Sequence, residues 1–170
     1  EHLCVATRHL GWRECAGTWA ELVAVDAVNA HRIPEGVSDA AAALTEPAAV
    51  CYESFQRARF EAGRSVLVIG DGPFGCLHAV WARILGAGPL VVAGHHDERL
   101  ERIRAAAGAR VCNTHREDLA SVVVSEAGPA GLQVAIEATG AAAAPGIGVS
   151  LLAPRGTLVI FSYVWRPEPL

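Results

Sequence analysis

The sequence predicts an α/β fold in which a parallel, doubly wound sheet carries helices on both faces. Three observations predict it. A short apolar run, Val66-Leu-Val-Ile69, leads straight into Gly70-x-Gly72-x-x-Gly75. An amphipathic helical pattern follows at once, with Leu77, Val80, Trp81 and Ile84 on one face and Gly86-Ala87 as a stop. Beyond it, short β-rich runs alternate with helical segments, the mark of βαβ units and a parallel sheet. Right-handed crossovers then wind the sheet in both directions.

In chain order, residues 1–36 read as loop and strand. Residues 18–25 (TWAELVAV) are strand-like, and Arg32-Ile-Pro-Glu-Gly36 reads as a turn. Ser38 is placed to cap an Ala-rich helix, because its hydroxyl accepts from an orphan amide of the first turn. Pro47 interrupts that helix, since it has no N–H to donate and clashes with the preceding turn. A second helix is expected over 47–60, ended by Gly63. Strands are expected at 66–70, 90–93, 110–112, 133–137 and 157–162, and helices at 73–86, 97–108, 116–125 and 141–152. Residues 1–37 have no core of their own and are set apart from a sheet domain over 38–170.

Composition narrows the function classes. The chain has 170 residues, 52% hydrophobic and 19% charged, with net charge -4. That balance gives no reason to expect nucleic acid or an anionic membrane as partner. No apolar run reaches the ~20 residues of a membrane span, and no signal segment opens the chain. Five cysteines (Cys4, Cys15, Cys51, Cys76, Cys112) are odd in number and lack the spacing of a disulfide scaffold. A reduced, cytoplasmic compartment is the simpler expectation. All 14 basic residues are Arg, and Met is absent even at position 1. The chain is therefore expected to start inside a longer protein.

The glycine turn carries the chemistry. Gly70 permits a tight turn, Gly72 lets the backbone approach a pyrophosphate, and Gly75 lets helix and strand pack closely. Pro73 and Phe74 complete the turn. The helix N-terminus behind it offers free N–H groups and a positive dipole end to phosphates. A dinucleotide is the expected ligand. In NAD sites an Asp or Glu about 20 residues past the turn accepts from the ribose 2′-OH. Here that slot falls on Gly94, followed by His95, His96 and Asp97. Without the carboxylate, His95, His96 and Arg99 would be donors to a 2′-phosphate, and NADP(H) is favoured over NAD(H). On this reading Gly94→Asp should shift preference toward NAD. Two alternatives stay open: Asp97 as ribose acceptor in a shifted loop, or the histidines as a solvated turn.

In order along the chain, several pieces resemble the zinc-dependent medium-chain dehydrogenase/reductase family, the alcohol, sorbitol and threonine dehydrogenase relatives. They are His2-Leu3-Cys4 with Leu10-Gly11, Gly17-Thr-Trp-Ala-Glu21, His31-Arg-Ile-Pro34 with Ala41–Ala43 and Glu46-Pro47, the glycine turn, Arg99-Leu100 with Gly108-Ala109, Glu137-Ala-Thr-Gly140 and Gly156–Ile160. The resemblance implies a Rossmann domain over 38–170, truncated at its C-terminal end. It implies that 1–37 is the truncated end of a GroES-like catalytic domain, so that the whole is an internal fragment.

The resemblance also implies site roles. Glu46 matches the third ligand of a catalytic zinc, and Cys4 the last of four structural-zinc cysteines; the other ligands would lie upstream. The alternative for Glu46 is favourable helix-dipole chemistry at a helix start. Val50 matches a position packed on the nicotinamide, with helix core as its alternative. Thr139 and Gly140 would run along the nicotinamide half of the cofactor, whereas Phe161 reads as core. No residue of the chain is assigned a catalytic proton-transfer role. The implied activity is hydride transfer between NAD(P) and a secondary alcohol or ketone, by a homo-oligomer when full-length. A zinc-free quinone or enoyl reductase of the same superfamily and a non-catalytic nucleotide-binding remnant are the alternatives. Glu46-Pro47 argues against the first.

Overall fold

A computed structural model describes residues 5–6, 9–12, 15 and 17–163. The chain divides into two compact units, Glu1–Ala42 and Ala43–Leu170. In the first, the described residues form a 3-10 turn at Ala27–Asn29 and a short helix α1 (Asp39–Ala42), and none is buried. Ser38 caps α1 as expected: its Oγ accepts from the Ala41 amide at 3.2 Å. The strand expected over 18–25 does not form. Alternating apolar residues make a strand only where a neighbour completes the ladder, and no described residue pairs with this run.

The second unit opens with α2 (Thr45–Arg57), then β1 (Val66–Ile69), α3 (Pro73–Ile84), β2 (Leu90–Gly94), α4 (Asp97–Ala107) and β3 (Arg110–Asn113). It continues with α5 (Leu119–Ala127), β4 (Leu132–Glu137), α6 (Ala144–Ser150) and β5 (Leu152–Ile160). Pro47 sits inside the first turn of α2 rather than breaking it, because the early amides of a helix have no carbonyl to bond. The helix α5 starts at Leu119 rather than at 116 as expected. Asp118 stops it by accepting from the Ser121 amide at 2.8 Å, a side-chain N-cap.

All five strands are parallel, in the order β3-β2-β1-β4-β5. Both faces are covered, so β1 is a continuous apolar run, fully buried. Val66, Val68, Val92, Val134 and Ile136 pack against Ala79, Ala82, Leu100 and Ile103 of α3 and α4. Leu67, Ile69, Val91 and Ala93 face the other way, against Leu119, Val122 and Val123 of α5. The chain winds outward from β1 to β3, then crosses back to lay β4 on the other side of β1. That reversal leaves a crevice at the carboxyl ends of β1 and β4.

One buried polar group ties α2 to α3. His78 is fully buried; its Nδ1 lies 2.7 Å from the Phe74 carbonyl and its Nε2 3.0 Å from Ser54 Oγ. A carbonyl only accepts, so Nδ1–H donates to it and the neutral Nε2 accepts from the Ser54 hydroxyl. Burial pushes the His78 pKa down to about 4, against the smaller upward pull of the Phe74 carbonyl. The unfolded chain therefore binds this proton first as pH falls. The contribution of His78 is full above pH 6.5 and is lost progressively toward pH 4, by about 3 kcal/mol at most. Unfolding midpoints measured from pH 7.5 to 4.5 should fall more steeply for the wild type than for His78→Gln. Parallel curves would refute the assignment.

Candidate functional site

The crevice is a cleft of about 800 Å³ lined by the ends of four strands and the loops behind them. Ile69, Gly70, Asp71 and Gly72 come from β1 and its turn; Ala93, Gly94 and His95 from β2; Thr114 follows β3; Ala138 and Thr139 follow β4. Arg99 reaches it from α4, Asp118 and Leu119 from the start of α5, and Ala144 and Ile147 from α6.

Each glycine of the turn has a distinct physical job. Gly70 adopts φ +131°, and a Cβ there would lie 3.0 Å from the Ala138 carbonyl, so β1 and β4 close tightly at this point. A Cβ on Gly75 would sit on the Gly70 carbonyl oxygen, far inside van der Waals contact. Gly72 differs: a Cβ there would meet nothing within 4 Å. Gly72 precedes Pro73, the first residue of α3, and lines the cleft. The early amides of α3 have no helical carbonyl to bond, so they are free for an anion. These features fit a dinucleotide with its pyrophosphate at Gly72.

The loop after β4 is set by a buried acid. Glu137 is fully buried, and its Oε1 accepts from the Thr139 amide (2.5 Å), the Thr139 hydroxyl (2.6 Å) and the Gly140 amide (2.8 Å). Thr139 is thereby held in the cleft wall, whereas Gly140 turns away from it at φ +73°, against Tyr163.

At the other end the geometry corrects a premise. The slot at Gly94 is not free of a carboxylate. Asp71, the variable residue of the turn, fills it from the β1 side. A Cβ on Gly94 would lie 2.5 Å from Asp71 Cβ and 2.6 Å from its Oδ2. That oxygen accepts from the His95 amide (2.8 Å) and the His96 amide (2.7 Å), and lies 3.0 Å from His96 Nδ1. Burial alone would raise the Asp71 pKa; the amides of His96 and His95 and the His96 ring outweigh it and hold the carboxyl below its ordinary range. The slot at Gly94 therefore does not favour NADP(H) by lacking a carboxylate. Asp97, the alternative ribose acceptor, is engaged elsewhere, accepting from Asn113 Nδ2 at 2.6 Å and pairing with Arg116 at 2.7 Å.

Of the residues singled out from sequence, Gly70, Gly72, Gly94, His95, Arg99 and Thr139 share the cleft. Pro73, Phe74, Gly75, His96 and Gly140 do not line it. Phe74 packs against Phe161 with ring centroids 5.0 Å apart and the rings tilted by 51°, and Phe161 packs against the core and edge-on to His78. Glu46 is exposed in the first turn of α2, and Val50 is 42% exposed, so it is not helix core. Cys4 lies outside the described residues. Among those that are described, no three His, Cys, Asp or Glu side chains gather as a metal site. The described residues therefore do not by themselves form a zinc site. Cys51 is buried with its thiol pushed up to about 12 by burial and then by the Glu46 charge; burial likewise raises Cys76 and Cys112. All three behave as small apolar residues rather than nucleophiles.

Comparison with known proteins agrees with this arrangement. The sequence model of the family described as zinc-binding dehydrogenase matches residues 73–170, more than half of the chain. The chain belongs to the zinc-binding dehydrogenase family. L-Threonine 3-dehydrogenase of Anaeromyxobacter dehalogenans (strain 2CP-C) is 33% identical over 172 aligned residues, which cover 99% of this chain and 48% of that protein. The chain thus spans about half the length of the curated relatives it matches. A short chain alcohol dehydrogenase of Escherichia coli CFT073, complexed with NADH, superposes with TM-score 0.80 at 27% identity, covering 92% of this chain and 46% of the other. A zinc-binding dehydrogenase of Sinorhizobium meliloti 1021, bound to NADP, gives TM-score 0.88 at 24% identity, covering 99% and 50%; it supports the fold alone. The family resemblance carried by the motifs is borne out. No helix among the described residues is long and apolar enough to cross a membrane.

Proposed function

We propose that this chain is the coenzyme-binding part of a zinc-dependent, NAD(P)-linked alcohol dehydrogenase, joined to the end of its catalytic domain. The observation that carries the reading is Gly72: an open backbone position on the cleft, at the N-terminus of a 12-residue helix, at the sheet's switch point. The bound nicotinamide would supply the hydride acceptor and donor for a secondary alcohol or its ketone. The chain's own part is to bind and orient. Gly72 and the first amides of α3 hold the pyrophosphate. Thr139, fixed by Glu137, borders the nicotinamide half. Gly94 and its loop border the adenosine ribose.

Glu46 is proposed as one ligand of a catalytic zinc whose remaining ligands would come from outside this chain, and Cys4 likewise for a structural zinc. A carboxylate suits a metal that keeps one position open. The name of a relative, L-threonine 3-dehydrogenase, supports a small alcohol as the substrate class.

Titrating the intact protein with NADH and NADPH, followed by nicotinamide fluorescence, tests the coenzyme reading. Saturable binding of at least one, competed by ADP-ribose, is expected. Absence of binding to both would refute it. Zinc analysis on the same preparation separates the zinc enzyme from a zinc-free reductase.

A further inference from the structure

We propose that Asp71 is the coenzyme-selecting residue, and that it favours NAD(H) by holding a carboxylate where a 2′-phosphate would have to sit. The inference rests on the cleft being the dinucleotide site.

Selection by a carboxylate at the end of β2 needs a side chain on residue 94. Here that residue is Gly, yet its side-chain space is not empty. Asp71 Cβ and Oδ2 lie 2.5 and 2.6 Å from the point where a Cβ of residue 94 would be. The carboxylate has moved from β2 to the glycine turn and enters the same space from the opposite side. It is also fixed there. Oδ2 carries the amides of His95 and His96 and contacts the His96 ring, while Asp71 is only 10% exposed. Oδ1 makes none of these contacts; its nearest cation is Arg99, at 3.8 Å, outside hydrogen-bond range. Oδ1 therefore keeps lone pairs for a ribose hydroxyl.

The groups that would receive a 2′-phosphate each face a partner inside the protein. The His96 ring faces Asp71. The His95 ring is stacked on His115, with centroids 4.4 Å apart, and its Nδ1 lies 2.9 Å from Thr114 Oγ1. Arg99 has Asp71 as its ion-pair partner. The same end of the cleft carries Glu117 and Asp118; Glu117 is paired with Arg110, and Asp118 caps α5. A dianionic phosphate in this cleft meets the carboxylates of Asp71 and Asp118, with Arg99 facing Asp71, and like charges in a half-buried site repel. A 2′-hydroxyl meets only an acceptor.

Dissociation constants for NADH and NADPH on the intact protein, measured by titration calorimetry, test this. The wild type should bind NADH at least tenfold more tightly. Asp71→Asn keeps an oxygen for the two amides and removes the charge; it should narrow the NADPH-to-NADH ratio at least tenfold. A purely structural role for Asp71 would weaken both coenzymes alike. A wild type that favours NADPH, or a ratio unmoved by Asp71→Asn, overturns the proposal and leaves the coenzyme reading intact. Binding of neither coenzyme overturns both. A second comparison does not depend on Asp71→Asn folding well. Asp71→Gly should lose the preference, and Asp71→Gly combined with Gly94→Asp, which returns the carboxylate to β2, should regain it. Failure to regain it counts against the proposal.

Discussion

Alanine at Gly72 and alanine at Gly75 should do opposite things. Gly72→Ala is expected to leave stability unchanged or raise it by about 0.4–1 kcal/mol, since a compatible Gly→Ala change removes unfolded-state freedom. The backbone there, φ -78° and ψ -177°, is ordinary extended geometry, and a Cβ meets nothing within 4 Å. Gly72 lines the cleft, where a pyrophosphate needs bare backbone. Coenzyme affinity should drop at least tenfold, about 1.4 kcal/mol. Gly75→Ala places its methyl on the Gly70 carbonyl, so the turn or α3 must move. A cost of about 3 kcal/mol or more is expected, which for a chain of this size lowers the midpoint by roughly 6–12 °C. Melting curves and coenzyme titrations on both variants check the pair. A Gly72→Ala protein that binds coenzyme like wild type would remove Gly72 from the pyrophosphate site. An undisturbed Gly75→Ala melt would mean that the strand and helix are not as closely packed as described.

Much of this architecture was legible in the sequence because its signals are local. The alternation of β-rich runs and helices, the glycine turn and the Ser38 cap each depend on residues within a few positions of one another. The Thr18–Val25 run shows the limit. Its composition suits a strand, but a strand exists only through a partner, and pattern alone names no partner. Long-range closure hid the rest of the site. Asp71 occupies the variable position of a fingerprint whose fixed positions are glycines, so its side chain drew no attention. Its role appears only when β1 and β2 pair, with Ile69 opposite Ala93, and bring it onto residues more than 20 positions away. The signal was present as a coincidence of two oddities: an acid inside the turn and a glycine where an acid is usual. Each makes room for the other. Glu137 was readable as part of a motif but not as a clamp, because which oxygen meets which amide depends on how the loop after β4 folds back. His78 sits on an apolar helix face like any core residue, and its Ser54 partner lies on another helix.

Gly94→Asp, the substitution that the sequence alone would choose to convert the protein to NAD, should instead damage it. The added Cβ would approach Asp71 Cβ to 2.5 Å, and that atom is bonded directly to the turn backbone, so no side-chain rotation moves it away. Two carboxylates would then compete for one space. Either Asp71 is expelled, leaving the His95 and His96 amides without their acceptor, or β2 is pushed away from β1. Losing two charge-assisted hydrogen bonds and straining a packed strand end together cost about 2–4 kcal/mol. The expected result is a lower melting midpoint and weaker binding of NADH and NADPH alike, with no gain in NAD preference. Adding Asp71→Gly should restore the midpoint, because it removes the atom in conflict; the two changes are therefore strongly non-additive. A Gly94→Asp protein that melts like wild type and prefers NADH more strongly would show that the slot was open after all. In that case Asp71 would be a surface acid with no part in shaping the ribose end of the cleft.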